Sequence, residues 1–432
     1  MNNQIDADKN ISDLNHPGKN VRLEAVKKLR CLIDEKFIPE PSPADSVNNH
    51  IHTFYSFSPY SPAKAVCAAY NAGLATAGIM DHDSISGADE FIAAGEILGL
   101  RTTIGLECRV SMADTPLAGR RINNPDQTTV VYMAVHGIPH TQIMEWNAYL
   151  DPYRKARNVR NNKMTNKISA LLTGSGIRLD FTSDVLPLSM SHEGGAVTER
   201  HILFALGKKI EETAGRGKNT VELLEKKLNI IISESAREML LDKDNVYYSW
   251  DLLGVLKGSF VQSFYVDATM ECPDVREVIA MCVRTGSVSA YAYLGDVTDS
   301  VTGDKRAQQF EDSYIEELFS VISSLGFNAV TYMPSRNTHA QLMRVKELCK
   351  KHKLFEISGE DINSPRQKFI CPALSRDEFR NLFDSTYALI GSERVATIDL
   401  KNALFSAETI ARMPDLDKRI AYFAKAGNSG GR

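Results

Sequence analysis

From residue 46 onward, short runs of apolar and β-branched residues alternate with segments whose apolar positions recur every three or four residues. Val47 to His52 reads as a strand. Ser61 and Pro62 have the character of an N-cap and first helical position, and Gly73 closes that helix. Ala77 to Met80 is a second strand, Ala88 to Leu98 a helix stopped by Gly99, and Thr102 to Val110 a third strand. Thr129 to His136, rich in β-branched and aromatic residues, is a fourth. Strands and helices alternating at these lengths predict a parallel sheet, open or closed into a barrel.

The alternation then stops. Ile143 to Leu172 is one long helical stretch with many Arg, Lys and Asn expected on its exposed side. Helical segments follow near His201 to Leu206, Thr220 to Leu228 and Glu234 to Leu241. Strands return at Val288 to Leu294, Ala329 to Met333 and Leu354 to Ser358, separated by helices Phe310 to Leu325 and His339 to Lys351. The expected organisation is therefore an N-terminal helical extension (1–45) packed outside, a core domain (46–140 and 285–372), a mainly helical insertion (141–284) and a helical tail (373–432) ending in a flexible Gly-Asn-Ser-Gly-Gly-Arg. The extension rests on one amphipathic stretch, Val21 to Phe37, which Pro39, Pro41 and Pro43 end.

Composition narrows the class. With 43% hydrophobic and 24% charged residues over 432 positions, the chain can bury a large core and is not a disordered polymer. A net charge of −4 argues against a surface built for long duplex nucleic acid. The apolar uncharged run Ala65 to Met80 is too short to span a bilayer, and no secretory signal is visible, so a cytoplasmic protein with no membrane partner is expected. Seven scattered cysteines without a C-x-x-C pair suit reduced thiols.

The histidines carry more information, because seven of the ten lie between residues 50 and 201. His50 and His52 face the same way if their segment is a strand. Alone, the pair is equally well two polar residues at a strand end. The second strand, however, runs into Asp81-His82-Asp83, the third carries Glu107, the fourth ends in His136, and a late strand leads into Gly359-Glu360-Asp361. Imidazoles and carboxylates in such a set suit manganese, iron or zinc. Asp81 and Asp83 are equally placed to cap a helix or to orient His82.

The ordered set His50-Ile51-His52-Thr53-Phe54-Tyr55-Ser56, Asp81-His82-Asp83, Gly105-Leu106-Glu107, Val135-His136-Gly137, Ala292-Tyr293-Leu294-Gly295 and Gly359-Glu360-Asp361-Ile362-Asn363 resembles the PHP superfamily, the polymerase and histidinol phosphatase domain. The resemblance covers roughly residues 46 to 137 and 285 to 370. It implies an α/β protein with a distorted (β/α)7 TIM-like barrel, one or two divalent ions here, and hydrolysis of a small phosphorylated metabolite or short nucleotide by metal-bound hydroxide. Carried over residue by residue, one site takes His50, His52, Glu107 and Asp361, and a second takes Glu107 and His136 but meets Tyr293 where the family has a histidine. A third retains His82 but meets Phe57 and Asn363, so fewer than three ions are expected.

The resemblance also assigns further roles. His82, His201 and Tyr293 are catalytic candidates, and Arg200, Arg366 and Lys368 are candidates for the substrate phosphate. Asn363 is a weaker candidate ligand, and so, apart from the resemblance, is His192, whose loop Ser191-His192-Glu193-Gly194-Gly195 is expected to reach the site. His201 lies in Thr198-Glu199-Arg200-His201, similar to a Thr-Arg-x-His segment of the family's small phosphatases, with Glu199 in place of the arginine. Two other readings stay open: a degenerate barrel that binds a phosphorylated ligand or partner without turnover, and a metal-dependent amidohydrolase. No P-loop, dinucleotide fingerprint or G-x-S-x-G elbow is present.

Overall fold

The computed structural model describes residues 2–297 and 309–429. Seven strands form one sheet in sequence order: β1 (Val47–Ile51), β2 (Thr76–His82), β3 (Arg101–Ser111), β4 (Val130–His136), β5 (Val288–Ala292), β6 (Ala329–Tyr332) and β7 (Phe355–Ser358). Helices α1 (Asn2–Asp13) and α2 (Lys19–Asp34) precede it, and α3 (Pro62–Asn71) and α4 (Ala88–Leu98) connect the first three strands. The insertion holds α5 (Ile143–Leu171), α6 (Glu199–Ala214), α7 (Lys218–Lys226), α8 (Glu234–Leu241) and α9 (Tyr248–Phe264), and α10 (Val275–Thr285) leads back to β5. Later come α11 (Ile315–Leu325), α12 (His339–His352), α13 (Asn381–Ile398), α14 (Ala407–Arg412) and α15 (Leu416–Asn428). The polar start thus holds a helix, α1, that periodicity did not reveal. At the other end α15 still includes Gly427 and Asn428, while residues 430–432 of the expected flexible end lie outside the described residues.

The sheet is not wholly parallel. β1, β2 and β3 pair in parallel, as do β5, β6 and β7, but β4 is antiparallel to both neighbours. A parallel partner for β3 would need a crossover, usually a helix. Residues 112–129 hold none, and the chain turns back directly. Asn123 pins the turn by donating from Nδ2 to the carbonyls of Tyr132 (2.8 Å) and Ala292 (2.7 Å). The sheet curls into a half-barrel, and the turn after β7 reaches β1: His52 N donates to Ile362 O (2.9 Å), and Ile362 N donates to His50 O (3.0 Å).

Cross-strand partners share a face. Glu107, Ala134, Ala290, Ala329 and Phe355 follow one another as partners from β3 to β7 and therefore define the inner face. The outer face packs on α3, α4, α10, α11 and α12 in the largest core cluster. The floor of the inner face is filled by the C-terminal helices, with Met80, Ala134, Ala290, Ala329 and Phe355 clustering with Ala388, Leu389 and Phe423. α13 and α15 cross so closely that a Cβ on Gly391 would stand 2.0 Å from Phe423 O, and one on Gly427 would stand 1.9 Å from Tyr387 O. Only glycine fits there. At the N-terminus, α2 docks through fully buried Arg22, whose Nε donates to Glu90 of α4 (2.8 Å).

The insertion has its own core, built from Met164, Ile168, Leu203, Leu206, Leu252 and Leu256 among others. α5 delivers it. Near its start Trp146 Nε1 donates to Thr285 Oγ1 (3.1 Å), just before β5 begins; further on, Arg154 and Arg157 reach Asp83, just after β2 ends. The helix therefore climbs from the floor of the sheet to its mouth. Several of its polar residues are not exposed as expected, since Arg154, Arg157, Arg160 and Asn161 are buried against these partners. No described helix is long and apolar enough to cross a membrane, and all seven cysteines are free thiols.

Candidate metal centre

Ile51 is fully buried in the outer core cluster, so its neighbours His50 and His52 project to the inner face. There they meet Glu107, and one donor atom from each of the three lies within 4.8 Å of the others. His82, the cross-strand partner of Glu107, places Nδ1 3.0 Å from Glu107 Oε2, and His50 Nε2 lies 4.0 Å from that oxygen. The turn that bridges back to β1 brings Asp361 Oδ1 to 3.2 Å from His52 Nε2.

The tautomer of His52 follows from its support. Asp81 accepts hydrogen bonds from Thr53 N (2.7 Å), Thr53 Oγ1 (2.6 Å) and Ser56 Oγ (2.6 Å). Ser56 Oγ, with its proton directed at Asp81, is left to accept from His52 Nδ1 at 3.2 Å. The lone pair of His52 is then on Nε2, facing inward. Asn363 supports the other side by donating from Nδ2 to Asp361 Oδ1 (2.6 Å). Asp83 is held at φ 48°, a costly left-handed conformation for a non-glycine residue. Its N–H donates to Glu107 O (2.8 Å), and Arg157 clamps its carboxylate.

Whether these residues fit a metal is answered by their unsatisfied atoms. The Nε2 atoms of His50, His52 and His136 are buried and lack a hydrogen-bond partner, which is costly unless something else takes their lone pairs. The charges agree. Burial alone would raise the Glu107 carboxyl, but the surrounding His82, His50 and His52 hold it at about 2. Asp361 is likewise held well below the carboxylate range against its burial, chiefly by His52 with a contribution from Arg200. Burial lowers His50, and burial with neighbouring His50 takes His136 down to about 3, so both favour the neutral form that ligates. His52 is raised, the Asp361 carboxylate outweighing its burial. Two carboxylates among these imidazoles are a donor set suited to zinc, manganese or iron.

Of the residues singled out from sequence, the fold brings together His50, His52, His82, Glu107, His136 and Asp361, with Asn363 as the partner of Asp361. Arg200 lies within electrostatic reach of Asp361. His201 is buried, its ring edge-on to Phe57 at 4.9 Å. Others are directed elsewhere. Tyr293 continues the alternation of Tyr291 on the outer face, opposite Glu107, and its hydroxyl donates to Asp312 (2.6 Å). Arg366 pairs with Asp251 (2.7 Å) and stacks over Tyr247, Lys368 is exposed, and His192 is exposed beside Glu193.

A buried ionic network lies beside the cluster. Glu199, at the start of α6, accepts from Arg109 (3.1 Å), Arg157 (2.8 Å) and Arg160, while Glu271 takes Arg109 (2.8 Å) and Asp83 takes Arg157. Three guanidiniums face three carboxylates between the sheet and the insertion. The available signal was spacing: Arg154, Arg157 and Asn161 continue the stripe of Leu150, Met164 and Ile168 along one face of α5. Phe57, in the place of a family ligand, packs on His201, Phe204 and Trp250.

The PHP domain family matches residues 48–327, well over half the chain, and the protein belongs to that family. The match stops before Asp361, whose place in the cluster rests on its contact with His52. Among solved structures, the chain is similar to a proposed metal-dependent phosphoesterase from Bifidobacterium adolescentis. The TM-score is 0.52 at 20% identity, over 80% of this chain and 97% of that one. It is also similar to an amidohydrolase from Chromobacterium violaceum solved with bound sulfate and no metal, with a TM-score of 0.50 at 17% identity, over 79% of this chain and 96% of that one. At these identities the likeness speaks for the fold. A search of curated proteins gives no match.

Proposed function

We propose that the chain is a metal-dependent phosphoesterase acting on a small phosphorylated metabolite or short nucleotide in the cytoplasm, on a sheet read as a distorted seven-stranded barrel. The observation that carries this is the convergence of the unpartnered Nε2 atoms of His50 and His52 with Glu107 at the inner face. His50, His52, Glu107 and Asp361 would hold one divalent ion, and His136 with Glu107 a second. An ion so held lowers the pKa of water and withdraws charge from a phosphoryl oxygen. The chain's own part is to fix the ligand lone pairs through Asp81, Ser56 and Asn363, to present Arg200 as a cation beside the cluster, and to close the site beneath the insertion. Phe57 offers no lone pair, which supports fewer than three ions. The same feature favours the second reading, a barrel that binds a phosphorylated ligand without turnover.

Metal analysis of the purified protein beside His50→Ala/His52→Ala tests the cluster, and equal metal content in the two would overturn it. Phosphate release from a panel of phosphomonoesters and nucleotides with manganese, iron or zinc tests the reaction. Release from none of them would leave the binding reading in its place.

A further inference from the structure

His201 is almost wholly buried at the start of α6 in the insertion, and its tautomer is set by the backbone. It stands at the third position of α6, where it completes a capping box with Thr198. Thr198 N lies 3.0 Å from His201 Nδ1. A backbone N–H can only donate, so Nδ1 carries the lone pair and the ring proton sits on Nε2. No hydrogen bond among the described residues engages that Nε2. Resting on the phosphoester reading above, we propose that His201 presents a fixed, neutral Nε2–H donor to a non-bridging oxygen of the substrate's phosphoryl group, neither ligating an ion nor exchanging a proton.

The surroundings agree. To ligate through Nε2, the ring would need its proton on Nδ1, where it would meet the Thr198 N–H head-on. To act as an acid, it would have to charge in a buried place beside Arg157, and burial together with that guanidinium lowers its pKa to about 3. Glu199, the anion that would favour the charged ring, already receives Arg109, Arg157 and Arg160. His82 also faces it electrostatically from the metal cluster, and Phe57 fixes the ring plane from the side. A neutral donor in such a place binds an anion without first needing a proton, so its contribution does not depend on pH across the neutral range.

Glutamine and glutamate at the third helical position both complete a capping box, but only glutamine retains an N–H for the anion. Inorganic phosphate is therefore titrated calorimetrically into manganese-loaded wild type, His201→Gln and His201→Glu. His201→Gln should bind within about threefold of wild type, and His201→Glu at least about tenfold more weakly, with all three melting alike and carrying equal metal. A spectrum of ¹⁵N-histidine-labelled protein, assigned by difference from His201→Gln, should show His201 as the Nε2–H tautomer from pH 6 to 8. Unchanged phosphate affinity in His201→Glu, loss of an ion in His201→Gln, or an Nδ1–H or doubly protonated ring would each overturn the assignment. Wild type that holds manganese but binds no phosphate would overturn the phosphoester reading and with it the donor's target, while the tautomer is still decided by the spectrum.

Discussion

Replacing Glu199 by Gln removes one charge from the buried network and little volume. Three guanidiniums, from Arg109, Arg157 and Arg160, would then face only Asp83 and Glu271, leaving an uncompensated positive charge among side chains of which Arg109, Arg157 and Arg160 are nearly fully buried. At about 3 Å and an effective dielectric constant of about 20, each lost contact is worth about 5 kcal/mol before the desolvation that offsets it. Measured losses from removing one partner of a buried pair are about 3–5 kcal/mol, and that is the expected cost. Arg120 and Glu317 supply the control. They stand 2.7 Å apart, but their side chains are 38% and 44% exposed, so Glu317→Gln should cost at most about 1 kcal/mol.

Urea unfolding of both variants beside wild type, compared at a common slope, measures the difference. A Glu199→Gln loss below about 1 kcal/mol, or one equal to that of Glu317→Gln, would refute the argument that burial makes this network matter. The pH dependence has a definite sign. Glu199 is held well below its ordinary value by Arg109, Arg157 and Arg160 against its burial. Its stabilisation is complete above about pH 4.5 and is lost as the pH falls, so the gap between wild type and Glu199→Gln should narrow in acid.

Ser56→Ala would leave His52 Nδ1 without its acceptor, and manganese affinity should fall by about tenfold with the fold intact, measured by chelator competition. Gly391→Ala would set a methyl group 2.0 Å from Phe423 O, and the separation of α13 from α15 should cost about 2–3 kcal/mol in urea unfolding. Glu311, fully buried with Oε2 unpartnered, is pushed up to about 7 mainly by burial, so it favours its neutral form in the fold. Stability should therefore decline as pH rises from about 4.5 to 7, and unfolding of Glu311→Gln should lack that decline.

The parts of the site legible in the sequence are those fixed by local spacing. His50 and His52 face inward because Ile51 between them is apolar, and Glu107 faces His82 because β2 and β3 run in parallel register. What spacing cannot carry is strand direction. The parallel sheet expected from strand–helix alternation fails at β4, where a helix-free connection reverses the chain. Tyr293 fails for a related reason, since a motif position does not say which face of a strand a side chain occupies. Residue type alone places Arg157 and Arg160 in solvent, where arginine usually lies. The stripe of α5 marks Arg157 as buried, but the partners Asp83, Glu199 and Glu271 come from three distant segments that no local spacing identifies.

The C-terminal helices that line the floor impose an order on assembly. A chain made from its N-terminus has all seven strands before it has α13 or α15, so Met80, Ala134, Ala290 and Phe355 wait without their apolar cover. The same helices brace the ligand strand, for Asn49, beside His50, donates to Thr386 of α13 at 2.7 Å. Until that helix arrives, the half-barrel exposes a greasy concave surface and its histidines lack their backing. The nascent protein is therefore most exposed to aggregation in the interval between the last strand and the last helix, and ion capture belongs to the finished chain.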